Sequence, residues 1–171
     1  MKKIIIIGCP GAGKSYFAKK LRSITGIPLY HLDMIWHKPD KTHISRPEFD
    51  EALKRIFSED KWIMDGDFSR TMEMRMQACD TIILFDISYE VCMQGIKERA
   101  GTKRDDMPWE TAETDDAFLN EVKNYIPEQL PKVYQLLDKY KHNKEVIIFK
   151  TREEAEKWLM NIPDHSSVGF Q

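Results

Sequence analysis

The sequence predicts an α/β fold in which a parallel β-sheet is covered by helices on both faces, giving three layers. One observation behind this is a glycine-rich stretch at residues 8–15, which lies between a short apolar segment and the start of a helical one. The other is that apolar, strand-like segments alternate with amphipathic segments along the rest of the chain, a pattern typical of parallel sheets. We expect the 171 residues, 1–171, to form one domain with a sizeable core.

The first two strands and the helix between them follow from short local signals. Lys3–Ile7 is a compact apolar run that predicts a buried strand. Lys14–Thr25 predicts a helix, which Gly26 ends in the usual C-terminal position. Ile27–Leu32 predicts a second strand that closes on Asp33.

A second helix is predicted to begin after Ser45, a residue that caps helices well, and a loop at residues 36–42 precedes it. Pro47 falls in the first turn, as is common for proline. Glu48 lies three residues after the cap, so that Ser45 and Glu48 form a capping box. The helix has one apolar face, made of Phe49, Ala52, Leu53, Ile56 and Phe57.

The second half of the chain continues the alternation of strands and helices. Its predicted elements are, in order, strand Trp62–Met64, helix Phe68–Cys79, strand Thr81–Ile87, a helix from Ser88 to about Ala100, a helical stretch from about Thr114 to His142 interrupted near Pro127 and Pro131, strand Val146–Phe149, and a helix that a capping box at Thr151–Glu154 opens and that runs to Met160. Residues 101–110 are polar and bounded by glycine and proline, so we expect a mobile loop there.

The glycine-rich stretch fits G-x-x-x-x-G-K-[ST], the phosphate-binding loop. Its glycines let backbone N–H groups approach phosphate oxygens, and the following helix N-terminus adds partial positive charge. Lys14 is expected to reach the β- and γ-phosphates, and the Ser15 hydroxyl to ligate Mg²⁺. The sequence therefore predicts ATP and Mg²⁺ as cofactors. The predicted cofactor-binding residues are Gly8, Pro10, Gly11, Ala12, Gly13, Lys14, Ser15 and Tyr16.

Aspartates follow several of the predicted strands. Ligands of parallel sheets bind beyond the carboxyl ends of the strands, so Asp33 and Asp65 should gather beside the phosphate loop. Asp65 is the predicted acidic partner of Ser15 in the metal site, where it could hold a water on Mg²⁺. Asp86, near the end of the next strand, is the alternative to Asp65.

A predicted lid covers residues of about 99–110, with Arg99 and Arg104 bracketing its polar loop. Phosphoryl transfer spreads negative charge over the oxygens of the moving group, and an arginine that closes over it supplies positive charge and excludes water. Lys14, Arg99 and Arg104 are therefore the predicted catalytic residues. The alternative for the two arginines is solvated loop charge.

The predicted acceptor region covers residues of about 33–60, and the predicted substrate-binding residues are Asp33, Trp36, Arg70 and Arg75. A phosphate acceptor, whose second pKa is about 6, needs arginines but no base. A hydroxyl acceptor must lose a proton, which a carboxylate such as Asp33 can take. The number of arginines favours a phosphorylated, nucleotide-like acceptor. A hydroxyl-bearing metabolite, with Asp33 as base, is the alternative.

Five segments of the sequence match the pattern of a known family: Gly8–Ser15, His31-Leu32-Asp33 with Trp36, Trp62–Gly66, Thr81–Asp86 and Arg99–Pro108. Together they resemble the adenylate-kinase-like group of small-molecule P-loop kinases, and most closely the DNA topology modulation protein or adenylate-kinase-related family. The resemblance implies a five-stranded parallel sheet in order 2-3-1-4-5, an ATP-binding core, an acceptor region between strands two and three, and a short lid. Adenylate kinases have Asp-Gly-Phe-Pro-Arg where this chain has Asp65 to Arg70, with the arginine one residue later.

Composition and motifs weigh against other functions. The net charge of −2 and the scattered Lys and Arg argue against a dedicated nucleic-acid binder, so an ATP-binding, DNA-associated regulatory protein is only a further alternative. A nucleotide-switch GTPase usually carries Asn-Lys-x-Asp after a late strand, whereas residues 143–146 read Asn-Lys-Glu-Val and precede one. No apolar run approaches the roughly 20 residues of a membrane span, and three widely spaced cysteines suit free thiols in a reducing compartment. We therefore expect a cytoplasmic location, a small-molecule acceptor as partner and no membrane partner.

Overall fold

A parallel sheet of five strands forms the centre of the molecule, in the order β2-β3-β1-β4-β5. The computed structural model describes residues 1–102, 104–109 and 116–163. The strands are β1 Lys3–Gly8, β2 Leu29–His31, β3 Trp62–Asp65, β4 Thr81–Phe85 and β5 Glu145–Phe149, and each pairs with its neighbours in parallel. The predicted fold class and strand order are confirmed.

Helices cover both faces of this sheet. They are α1 Lys14–Thr25, α2 Leu32–Trp36, α3 Arg46–Phe57, α4 Ser69–Ala78, α5 Tyr89–Arg99, α6 Asp116–Asn124, α7 Leu130–Tyr140 and α8 Arg152–Met160, with a π-helical turn at Tyr125–Gln129 between α6 and α7. None of the described helices is long and apolar enough to cross a membrane.

Two predicted helix boundaries have the local chemistry expected of them. Gly26 adopts a left-handed conformation with φ 68° and donates its N–H to the carbonyl of Arg22, which ends α1. At the start of α3, the Ser45 hydroxyl accepts from the N–H of Glu48, and the Glu48 carboxylate accepts from the N–H of Ser45. The two bonds satisfy donors that an uncapped helix would leave open.

The region after β2 differs from the prediction. The strand covers only Leu29–His31, and α2, a short helix that was not predicted, begins at once with Leu32. Leu32 is buried in the core, and the acidic Asp33 suits the first turn of a helix. Asp33 therefore lies in α2 rather than at the end of a strand, and Trp36 is the last residue of this helix instead of the first of a loop.

The long C-terminal helical stretch also differs from the prediction. It is interrupted at Pro127, which lies in the π-helical turn, but not at Pro131. Pro131 occupies the first turn of α7, where a missing N–H costs no helical hydrogen bond. Of the predicted lid, Lys103 and Glu110 lie outside the described residues, as does the predicted start of this stretch near Thr114.

The core lies in two layers, one on each face of the sheet. Successive side chains of a strand point to opposite faces, so Ile4 and Ile6 of β1 pack in one layer while Ile5 and Ile7 pack in the other. All four are fully buried, and each contributes roughly 1.5–3 kcal/mol of hydrophobic stabilisation. This central strand fixes the position of the glycine loop that follows it.

Candidate nucleotide and acceptor site

The loop between β1 and α1 curls at the carboxyl end of the central strand. Gly8 and Gly11 adopt positive φ values of 138° and 85°. A Cβ at Gly11 would lie 2.1 Å from the carbonyl oxygen of Cys92 in α5, and one at Gly8 would lie 2.5 Å from the carbonyl oxygen of Phe85. The loop is therefore packed on β4 and α5 at a distance that only glycine allows, and this fixes its shape.

Lys14 lies across this loop. Its Nζ donates to the carbonyl oxygens of Gly8 at 2.7 Å and Cys9 at 2.9 Å. The residue before it, Gly13, caps α1 without a side chain, so the first N–H groups of the helix face the loop. A lysine ammonium and a helix N-terminus at one point suit the binding of phosphate oxygens.

A group of acidic residues lies beside Ser15. Asp65, at the end of β3, is only 4% exposed, and its Oδ2 contacts His31 Nδ1 at 2.8 Å. Its Oδ1 is buried without a hydrogen-bond partner among the described residues. Asp106 of the lid accepts a hydrogen bond from Ser15, and the ligand atoms of His31, Asp65 and Asp106 lie within 4.8 Å of one another.

These residues fit a divalent cation. An unsatisfied buried carboxylate oxygen is costly unless something binds it, and Mg²⁺ prefers carboxylate, hydroxyl and water oxygens. Asp65 lies in the same cavity as Ser15. Asp86, the alternative, instead forms an ion pair with Lys150 and accepts a hydrogen bond from Tyr134. The positions of the two aspartates favour Asp65 as the acidic partner of Ser15.

Both predicted lid arginines line this cavity. Arg104 binds Asp106 in bidentate fashion, with its Nε 2.8 Å from Oδ1 and its Nη2 2.9 Å from Oδ2. Arg99 donates its Nε to the carbonyl of Gly95 at 3.2 Å. Burial, followed by repulsion from Arg104, lowers the pKa of Arg99 below its usual value. Two guanidinium groups thus converge near the phosphate loop.

Within the residues that the structure describes, the predicted lid contacts the rest of the protein at two further residues. Asp105 forms an ion pair with Lys19 of α1. The ring of Trp109 meets the ring of His37 edge to face, with centroids 4.8 Å apart. The lid therefore connects the phosphate loop side of the cavity with the acceptor side.

The cavity has a volume of about 570 Å³ and extends from the phosphate loop to the predicted acceptor region. Asp33, Trp36, Arg46 and Arg70 all line it. Burial, and then repulsion from Asp65, raises the pKa of Asp33 to about 6. The neighbouring charges of Arg104 and Lys14 oppose that rise, so the Asp33 carboxyl is within electrostatic reach of both.

The structure does not bring Arg75 into the cavity. Its side chain is 0% exposed, and its Nη1 donates to the carbonyl of Gly66 at 2.9 Å. Arg70 does line the cavity, yet its guanidinium forms a bidentate pair with Asp50, at 2.6 and 3.1 Å. Of the two arginines predicted to hold an acceptor, one supports the backbone and the other already has a carboxylate partner.

Residues of the site that carry no role in the sequence prediction include His31, Asp106 and Phe68. His31 orients Asp65 across the gap between β2 and β3, a pairing that only the strand register reveals. Asp106 follows a predicted catalytic arginine by two residues, and that spacing is a signal for a lid carboxylate. Phe68 lines the cavity with a left-handed backbone, φ 32°, which nothing in its neighbours predicts.

A second, smaller cavity of about 230 Å³ opens beside the phosphate loop. Its lining includes Gly13, Phe17, Arg152 and Tyr16, the last of the predicted cofactor-binding residues. The Nη2 of Arg152 donates to the carbonyl of Gly11 at 2.8 Å, which ties α8 to the loop. The predicted cofactor-binding residues are thus divided between the two cavities: the larger one is lined by Pro10, Gly11, Lys14 and Ser15, and the smaller one by Gly13 and Tyr16.

Solved structures similar to this one include two kinases. An unliganded sugar kinase from Janibacter sp. HTCC2649 aligns over 100% of this chain and 99% of its own, with a TM-score of 0.57 and 13% sequence identity. A deoxyadenosine kinase from M. mycoides with bound dATP aligns over 94% of this chain and 98% of its own, with a TM-score of 0.55 and 15% identity. At such identities the likeness shows the fold alone, which is the P-loop kinase fold.

No protein-family model matches the sequence, and no curated protein matches it either. The structural likeness agrees with the P-loop kinase fold that the sequence resemblance implies. It gives no support to the DNA topology modulation family in particular.

Proposed function

We propose that this protein is a kinase that transfers the γ-phosphoryl group of ATP to a hydroxyl group of a small molecule. The observation that carries the proposal is that a phosphate loop with its lysine and a carboxylate, Asp33, line one cavity. The loop suits the donor and the carboxylate suits the acceptor. The two similar structures are a sugar kinase and a deoxyadenosine kinase, which supports the same reaction class.

The state of the arginines is the reason to prefer a hydroxyl acceptor to the phosphate acceptor that the sequence favours. A phosphate acceptor is bound through unpaired guanidinium groups. Arg75 is withdrawn from the cavity and Arg70 is paired with Asp50. Arg46 lines the cavity and is the one observation that supports a phosphorylated acceptor as a second candidate.

The residues have distinct roles in the proposed reaction. Lys14 and the N–H groups of the loop hold the β- and γ-phosphates, and Ser15 with Asp65 would hold Mg²⁺. When bound, Mg²⁺ supplies positive charge that offsets the charge on the phosphate oxygens. Arg99 and Arg104 stabilise the additional charge that develops on the moving phosphoryl group.

Asp33 acts on the acceptor. It takes the proton of the hydroxyl group while the hydroxyl oxygen forms a bond to the γ-phosphorus and the bond between that phosphorus and the β–γ bridging oxygen breaks. The products are ADP and a phosphomonoester, and Asp33 then releases its proton to water. With a pKa of about 6, the carboxyl is ionised at neutral pH and is a stronger base than an ordinary aspartate.

A phosphoryl-transfer screen tests the proposal. The protein is incubated with radiolabelled ATP, Mg²⁺ and separate panels of sugars, nucleosides and nucleotides, and the rates are compared with those of Asp33→Asn. We expect transfer to a hydroxyl acceptor with kcat reduced about 10²–10⁴-fold in the variant. The proposed role of Asp33 would be contradicted if the best acceptor received the phosphoryl group on a phosphate group, or if kcat were unchanged in Asp33→Asn.

A further inference from the structure

We propose that the acceptor carries a flat heteroaromatic ring as well as its hydroxyl group, as a nucleoside does, and that this ring stacks on Phe68. Phe68, Trp36 and Phe49 form what we term the aromatic shelf, three neighbouring rings in the lining of the cavity. The assignment of the ring as part of a phosphoryl acceptor rests on the proposed kinase function. The binding of such a ring to the aromatic shelf can be measured independently of any kinase activity.

The backbone conformation of Phe68 is the first observation that points to a ligand-binding role for its ring. It has φ 32° and ψ 76°, a left-handed conformation that bulky side chains rarely adopt. Such strain persists only where the surrounding structure holds it, and it is concentrated at functional sites. The strained residue is only partly buried against the core and also lines the cavity, so part of its ring faces the space where a ligand would bind.

Arg75 is what holds this conformation. Its buried guanidinium donates to the carbonyls of Gly66 at 2.9 Å and Phe68 at 3.0 Å, and also to the carbonyl of Asp67. Its Nε reaches the Thr71 hydroxyl at 3.3 Å. A buried charge is costly unless its hydrogen bonds are satisfied. Burial lowers the pKa of Arg75 only to about 10, so it stays protonated at neutral pH and fixes three consecutive carbonyls.

The three rings of the aromatic shelf support one another. Phe68 lies 5.2 Å from Phe49 and 6.2 Å from Trp36, and Phe49 lies 5.3 Å from Trp36, measured between ring centroids. One face of Trp36 is stacked on His43, 4.4 Å away. Phe49 is 1% exposed and backs the other two rings. Trp36 meets both phenylalanine rings edge to face, so the two neighbours hold the Phe68 ring in place and its own apolar face is preformed for a flat ring at little entropic cost.

Other residues that line the cavity add both apolar surface and polar groups. Met107, Phe118 and Tyr125 supply apolar surface there, and Glu121 and Gln129 supply hydrogen-bonding groups. A polyol or a sugar acid would need polar groups around most of its surface, whereas a heteroaromatic ring needs apolar plates and a few groups at its edge. The rings of Phe68, Trp36 and Phe49 supply such apolar surface in this cavity, beside the polar groups of Asp33, Arg46 and Arg70.

Calorimetric titration of the full-length protein with separate nucleosides and with free ribose, in the absence of ATP, tests the inference. We expect at least one nucleoside to bind and ribose not to bind. Phe68→Leu should raise the Kd of that nucleoside about 5- to 150-fold, the range measured for losing one stacked base, and Phe68→Tyr should restore it. The Kd of a non-hydrolysable ATP analogue should be the same in all three proteins.

Phe57→Leu is the matched control, because Phe57 packs on Trp62 outside the cavity. It should leave the nucleoside Kd unchanged. Phe68→Gly removes the ring and relieves the strained backbone, so it should bind no better than Phe68→Leu while remaining folded. The effects of Arg75→Lys and Phe68→Gly on the nucleoside Kd should not add, because Arg75 acts through Phe68.

Each other outcome has a definite meaning. If no nucleoside binds, or if sugars bind and are phosphorylated instead, the inference is wrong while the kinase function stands. A nucleoside could bind through Phe68 while no acceptor is phosphorylated and the ATP analogue does not bind. In that case the proposed kinase function is wrong, and the inference that the aromatic shelf binds a heteroaromatic ring stands. An unchanged nucleoside Kd in Phe68→Leu overturns the stacking role.

Discussion

Asp33→Asn is expected to stabilise the protein at pH 8 and to have no such effect near pH 4. The pKa of Asp33 is raised from 3.8 to about 6 by burial and then by Asp65, so folding disfavours its ionised form. A raised pKa in the folded state gives stability that is complete below the unfolded-state pKa and is lost as the pH rises through the folded-state pKa. The wild-type protein should therefore lose this stability between about pH 4 and pH 6, and the asparagine variant should keep it.

The magnitude follows from the size of the pKa shift and the exposure of the side chain. A shift of about 2 units corresponds to an upper limit of about 3 kcal/mol, at 1.36 kcal/mol per unit. The Asp33 side chain is 38% exposed, and solvent screening reduces that limit to about 1–1.5 kcal/mol. For a chain of this length, the melting temperature at pH 8 should then rise by roughly 2–6 °C.

Thermal denaturation followed by circular dichroism, at pH 4 and pH 8 in EDTA and without ATP, measures the effect. Asp86→Asn is the control. Asp86 is ion-paired with Lys150, so removing the charge of its carboxylate should not stabilise the protein at either pH. A lower or unchanged melting temperature of Asp33→Asn at pH 8, or an equal gain at both pH values, would refute the reasoning.

Two further predictions concern the phosphate side of the cavity. Lys14→Ala should weaken the binding of an ATP analogue about 10- to 150-fold by calorimetry, since a charge-assisted contact to phosphate contributes about 1.5–3 kcal/mol; unchanged affinity would contradict the assignment of the loop. Arg99→Ala and Arg104→Ala should each lower kcat by roughly 10³-fold in single-turnover experiments, with little change in ATP affinity. Arg22→Ala, an exposed arginine on α1, should have no effect, and wild-type rates in both lid variants would mean that the arginines are solvated charge.

Much of the fold could be predicted because its signals are local. The isoleucines of β1, the glycine after α1 and the capping box at Ser45 each specify structure within a few residues. The strand order came from a resemblance rather than from the residues alone. α2 was missed because five residues are too few to show helical periodicity, and it forms through the burial of Leu32 against the core.

The candidate site also has a part that local sequence signals predict and a part that they do not. The phosphate loop is contiguous in sequence, so its residues and their placement before a helix are encoded in one motif.

Residues that act through long-range contacts could not be assigned from sequence. Arg75 is of a residue type that often binds phosphate, but its guanidinium donates hydrogen bonds to backbone carbonyls of residues 66–68 instead. The pairing of Arg70 with Asp50 joins two helices, and no spacing rule predicts it. The acceptor preference changes for this reason: charge count favoured a phosphate, and the contacts of those charges favour a hydroxyl group.

The most direct test of the account is the chemical form of the product. Phosphorus NMR of a reaction with ATP, Mg²⁺ and the best acceptor distinguishes a phosphomonoester, whose phosphorus has no neighbouring phosphorus, from a diphosphate, whose two phosphorus signals split each other. We predict a phosphomonoester that accumulates in step with ADP in the wild-type protein and is nearly absent with Asp33→Asn. A diphosphate formed from the acceptor, in addition to the ADP formed from ATP, or ADP and inorganic phosphate alone, would contradict the claim that the loop and Asp33 serve one transfer to a hydroxyl group.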